Sequence, residues 1–90
     1  MKTFEIKDRM SLINKALVWM NGYEILGVNL TDYITDERGP GIHMWSPDFD
    51  DFVKKMGFLE VKVLHSNDKS DVVGCVFQQV VVYAIRAKNV

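Results

Sequence analysis

The stretch VVGCVFQQVVVYAIRA, residues 72–87, decides the fold class of this chain. It is rich in β-branched residues and is interrupted only by Gly74 and by the pair Gln78-Gln79. Because β-branched side chains pack well on a pleated surface, the stretch predicts one long strand, bent or bulged at an interruption. Alternate residues of a strand point to opposite faces, and both sets are apolar here. We therefore expect both faces of this strand to be covered.

Two amphipathic patterns predict helices. Apolar residues recur at three- and four-residue steps over residues 10–20, after Asp8, which can cap a helix. The second helix is predicted to begin at Ser46, the capping residue, with Pro47 in its first turn and aspartates near the positive end of its dipole. Gly57 is its predicted end, since glycine accepts the left-handed conformation.

Four further segments predict strands, at residues 2–7, 23–30, 42–45 and 58–65. For residues 2–7 the alternative is an extension of the first helix. The order is strand, helix, strand, strand, helix, strand, strand, whose first six elements match the βαββαβ order of ferredoxin-like domains. We expect a single α+β domain over residues 1–90, with an antiparallel sheet, two helices on one face and an extra C-terminal strand.

Composition excludes several classes of protein. The 90 residues are 48% hydrophobic and 26% charged, which is typical of one soluble domain. No apolar run is long enough to span a membrane, and MKTFEIKDRM lacks the apolar segment of a signal peptide, so we expect a cytoplasmic protein. The net charge of −1 and the lack of an RNP-type pattern argue against direct nucleic-acid binding. The single cysteine, Cys75, lies in an apolar run, which predicts a buried thiol.

The second apolar face of the last strand predicts an interface. A long exposed β-branched strand would promote aggregation, so a partner subunit is the simplest cover. We expect a homodimer with Val76, Val80 and Val82 at the interface. The alternative is a monomer whose loop, residues 31–41, folds over this face.

Residues 36–52, DERGPGIHMWSPDFDDF, hold the most unusual chemistry of the chain. They belong to a span, residues 24–60, with eight acidic and three basic residues. The acids predict either a surface for a basic partner or residues that line a turn and a helix start. In the first case, anchors and steering acids would come from residues 31–51. The predicted contact residues are Tyr33, Asp36, Glu37, Arg38, His43, Trp45 and Asp50.

Three classes of function follow. The first is a non-enzymatic module, an inhibitor or adaptor, that binds a protein partner through residues 31–51. The second is a protein that binds a nucleotide or metabolite in a pocket at loop 31–41 or at the dimer seam. The third is a metal-dependent hydrolase using His43, His65 and Asp48, although no HxH or HExxH spacing occurs. Gly39-Pro40-Gly41 lacks the lysine of a phosphate loop, and we predict no cofactor, metal or catalytic residue.

Overall fold

The structure, a computed structural model, describes residues 1–31 and 39–88. These residues form two helices, a 3₁₀ turn and a five-stranded mixed sheet, which confirms the α+β class. The elements are α1 (Thr3–Leu17), the 3₁₀ turn (Val18–Met20), β1 (Ile25–Asn29), β2 (Gly41–Met44), α2 (Ser46–Met56), β3 (Lys62–Ser66), β4 (Ser70–Phe77) and β5 (Val80–Ala87).

The prediction of one long C-terminal strand was wrong, because the chain reverses at Gln78-Gln79. β4 and β5 form an antiparallel hairpin in which Phe77 lies opposite Val80. The two glutamines have φ angles of 49° and 66°, so both are left-handed. A two-residue turn of this kind matches the twist of the strands but is usually built from Asn and Gly. The glutamine pair carries no such signal, which explains the missed turn.

The predicted strand at residues 2–7 is also wrong, and the alternative of a longer first helix is correct. Helix α1 begins at Thr3, with Glu5 in its first turn, where a negative charge is favoured by the dipole. Phe4 is largely exposed, so its alternation with Ile6 reflects no buried strand face. The first element of the described structure is therefore a helix, where the ferredoxin-like order has a strand.

The strand order of the sheet is β1-β2-β5-β4-β3. Three of the four neighbouring strand pairs are antiparallel, but β2 and β5 run parallel, with Ile42 opposite Val82. The expectation of a purely antiparallel sheet is thus corrected. β1 and β3 are the two edge strands, and the β4–β5 hairpin supplies the two strands between β2 and β3.

The main core lies between the helices and alternate residues of three strands. The side chains of Val80, Val82 and Ala84 on β5 are fully buried there. Cys75 is in the same core, as predicted, and burial raises the pKa of its thiol to about 11. The remaining buried members are Ile13, Ala16, Met20, Ile42, Met44, Phe49, Phe52, Val73 and Phe77.

The opposite face of the sheet holds a smaller apolar cluster. Val81 and Tyr83 are buried there, and Leu64 and Val72 pack against them. Gly74 makes this packing possible, since a Cβ at that position would lie 2.6 Å from Leu64 Cδ1 and 2.9 Å from the Val82 carbonyl oxygen. Both faces of β4 and β5 are therefore apolar, as the sequence predicted.

Helix α2 has the predicted bounds, but its cap differs from the prediction. Trp45, not Ser46, occupies the capping position in an extended conformation, and no side chain caps the helix there. Gly57 ends the helix with φ of 76°, as expected. No helix in the described part of the chain is long and apolar enough to cross a membrane.

Candidate functional site

Trp45 lies where β2 passes into α2, and its backbone is held on both sides. Its N–H donates to the Glu24 carbonyl at 3.1 Å, and its own carbonyl accepts from the Phe49 N–H at 2.9 Å. The indole is nonetheless 51% exposed. A large aromatic side chain is thus presented to solvent from a backbone that is fixed by a strand and a helix.

A shallow groove surrounds this tryptophan. It is lined by the edge strand β1, the turn before it and the first turn of α2. Leu26, 52% exposed, supplies its other large apolar side chain. The lining residues are Gly22, Glu24, Leu26, Trp45 and Asp48. Two of these five are acids and none is basic, so the groove combines apolar area with negative charge.

Asp48 connects the two sides of this groove. One oxygen of its carboxylate accepts the backbone N–H of Glu24 at 2.7 Å. Because the bond uses the backbone of Glu24, it leaves the Glu24 side chain outside this contact. Asp48 also lies in the first turn of α2, where a carboxylate is favoured by the helix dipole. The same residue therefore stabilises the helix start and positions the groove.

An exposed ionic cluster adjoins the groove one turn further along α2. The Tyr23 hydroxyl donates to Asp51 at 2.5 Å, and Lys55 Nζ lies 3.2 Å from Asp51. The hydrogen bond with Tyr23 lowers the pKa of Asp51, and the same bond raises the pKa of Tyr23. Lys55 also lies 5.2 Å from the Tyr23 ring centroid. Lys55 offsets the charge of Asp51, so the net negative charge is concentrated at Glu24 and Asp48.

Two predicted contact residues lie away from the groove. Asp50 forms an ion pair with Arg86 of β5, whose guanidinium lies 5.9 Å from the Phe49 ring. His43 lies on β2 and stacks on Tyr83, with centroids 4.9 Å apart and planes 7° from parallel. Burial lowers the pKa of His43. Both side chains thus have partners within the domain.

The other four predicted contact residues, Tyr33, Asp36, Glu37 and Arg38, lie outside the described residues, as does most of loop 31–41. Their assignment to a contact surface stays a prediction. Among the predicted residues that the structure describes, Trp45 alone lines the groove. Glu24 and Leu26, which the sequence did not single out, complete it, because nothing in YEILGVNL indicates an edge strand.

The two histidines of the hypothetical metal site lie on strands that are not neighbours in the sheet. His43 is on β2 and His65 on β3, with β5 and β4 between them. Asp48 is bound to the Glu24 backbone instead. Within residues 1–31 and 39–88, no group of three or more His, Cys, Asp or Glu side chains could hold a metal ion. The metal-hydrolase hypothesis therefore has no structural support.

The three predicted dimer-interface residues are placed differently from one another. Val80 and Val82 are fully buried in the main core, so neither can contact a partner in the folded domain. Val76 is 49% exposed and lines a concave region beside β3, with Phe58, Leu64, Gly74 and Val81. Only Val76 of the three is accessible to a second chain.

Comparison of the chain with protein-family models, with curated proteins and with solved structures finds no significant match.

Proposed function

We propose that the protein is a non-catalytic binding module that holds a basic surface of a protein partner in the groove around Trp45. The observation that carries the proposal is the pairing of two half-exposed apolar side chains, Trp45 and Leu26, with the acids Glu24 and Asp48 in one groove. Large exposed apolar area rimmed by polar residues is typical of an interaction site.

The chemistry of the groove selects the class of partner. An arginine or lysine can lie over the indole face and meet a carboxylate at the same time. Tryptophan is enriched among residues that dominate binding energy, and acids around it increase the association rate with a positive surface. A module of this kind would act as an inhibitor, by covering a basic site of the partner, or as an adaptor, by recruiting the protein that carries that site.

The proposal is tested by capture from native lysate with two matched variants, followed by mass spectrometry. Trp45→Ala removes the anchor, whereas Phe4→Ala removes an aromatic side chain of similar exposure from α1. We expect a captured basic protein to be lost with Trp45→Ala and retained with Phe4→Ala. Equal capture by both variants would contradict the assignment of the groove.

Charge is tested separately with the identified partner. Glu24→Lys reverses a groove charge, and the backbone bond from residue 24 to Asp48 is still possible. We expect a lower association rate at low salt, with the difference from wild type shrinking as salt screens the charges. Asp68→Lys, in the turn between β3 and β4, is the control and should leave the rate unchanged.

A small-ligand protein is the second candidate, and a specific location favours it. The concave region beside β3 is lined by the apolar residues Phe58, Leu64, Val76 and Val81 and by the charged residues Glu60 and Lys62. Apolar walls with a few charged groups are typical of ligand pockets. A thermal-shift screen with nucleotides and metabolites tests it: a stabilising compound should lose its effect in Val76→Asp.

A further inference from the structure

Strand β3 is the least covered element of the sheet. It is an edge strand that pairs only with β4, and four of its five residues are exposed. The chain just before it, residues 58–61, lies beyond the last β3–β4 pair, Lys62 with Gly74. Phe58 and Val63 on this stretch are 73% and 61% exposed. An extended edge with apolar side chains is a template for another strand.

We infer that this edge binds a second copy of the same chain, antiparallel, through residues 58–64 and with the two-fold axis at Val61. In this register a residue that lies a given number of positions before Val61 is opposite the residue that lies the same number of positions after Val61 in the second copy. Glu60 then lies opposite Lys62 of the second copy, and Lys62 opposite its Glu60. Phe58 lies opposite Leu64, and Leu59 opposite Val63. Every pair is therefore either apolar with apolar or acid with base.

Charge complementarity selects this register over its neighbours. An axis at residue 60 places the two Glu60 side chains directly opposite each other, and an axis at residue 62 does the same with the two Lys62 side chains. Like charges in opposite positions destabilise a strand pair. An axis between residues places each charged side chain opposite an apolar one. Among these registers, only the axis at Val61 satisfies both the charges and the apolar residues.

The proposed pairing also agrees with the two faces of the sheet. Leu59 packs against the main core, and Val63 lies opposite Val73, a member of that core. Leu64, on the other face, packs against Val81 and Tyr83. Pairing at Val61 would thus continue each apolar layer into the second copy and cover Phe58. The dimer would be independent of the groove around Trp45, which lies at the opposite edge of the sheet.

The proposal is tested by exchanging the charges at positions 60 and 62 and measuring the molecular mass. Sedimentation of the wild-type chain over a concentration series should give a mass of two chains that falls to one on dilution. Glu60→Lys and Lys62→Glu should each weaken dimerisation about tenfold or more, since each creates two like-charge pairs. The double variant Glu60→Lys/Lys62→Glu should restore it. Glu5→Lys, on α1, is the control and should leave the dissociation constant unchanged.

A cysteine placed on the axis tests the register itself. In Val61→Cys the two thiols face each other, so mild oxidation should give a covalent dimer, whereas Val63→Cys faces Leu59 and should not. The native Cys75 is buried and should not contribute. A mass of one chain at every concentration would overturn the inference. So would a double variant that stays monomeric, or cross-linking that is stronger at position 63 than at position 61.

Discussion

The two edges of the sheet are held in different ways. The two residues before β1 are connected to helix α2 by the Asp48 bond to the Glu24 N–H and by the contact between Tyr23 and Asp51. β3 pairs with β4, and the packing of Leu64 against Val81 and Tyr83 adds to this attachment. The first edge therefore presents a fixed groove, and the second presents an open backbone. This difference supports the two proposals, that the β1 edge binds a different protein and that the β3 edge binds a second copy of this chain.

The largest expected effect is a difference in the loss of unfolding free energy between a substitution in α2 and one at the β3 edge. Phe52 of α2 is fully buried and contacts both Tyr23 and Phe77, with ring centroids at 6.2 and 5.2 Å. Phe52→Ala should lower the free energy of unfolding by about 3–5 kcal/mol through lost burial and a cavity. Leu64→Ala, which is only half-buried at the β3 edge, should cost roughly 1–2 kcal/mol. Urea unfolding measures the free energy of unfolding of both variants. Equal losses in the two variants would contradict the expected difference.

The second prediction concerns the attachment of β3. Gly74→Ala adds a methyl group that meets Leu64 and the Val82 backbone oxygen, and the backbone cannot give way easily. We expect a loss of about 1–3 kcal/mol in unfolding free energy from overpacking. Hydrogen exchange should rise in β3 before it rises in β1. Gly27→Ala is the matched control on β1, because a Cβ there meets nothing within 4 Å. An unchanged free energy of unfolding in Gly74→Ala would show that Leu64 can move aside.

These two edges also show how far the sequence could predict the molecule. The bounds of α2 were predictable because proline, aspartates, lysines and glycine all act locally. The turn at Gln78-Gln79 was not, since its left-handed residues are not the usual ones and only the pairing of β4 with β5 requires them. Edge position depends on strand order, which is a long-range property. Trp45 could therefore be proposed as a contact residue, whereas Leu26 and Glu24 could not.

The third prediction concerns the hydrogen bond between the Glu24 N–H and Asp48 at the β1 edge. Asp48→Ala removes the acceptor of the Glu24 N–H and should cost about 1 kcal/mol. Asp48→Asn retains an acceptor oxygen and should cost less. The local measurement is hydrogen exchange of the Glu24 amide, which should accelerate in Asp48→Ala only. Asp68→Ala, an exposed aspartate near β3, is the control. Unchanged exchange at Glu24 would mean that the bond does not hold the groove.

The smallest expected effect is a pH dependence that arises between the two edges, at His43. Burial against Tyr83 lowers its pKa in the folded protein from the ordinary value of 6.5, so the unfolded chain binds the proton more tightly. Stability should therefore fall as the pH drops through about 6.5 and level off below the folded pKa. His43→Phe keeps a stacked ring but cannot titrate, so the slope in this window should flatten. A slope in His43→Phe that equals the wild-type slope would show that His43 is not the titrating group.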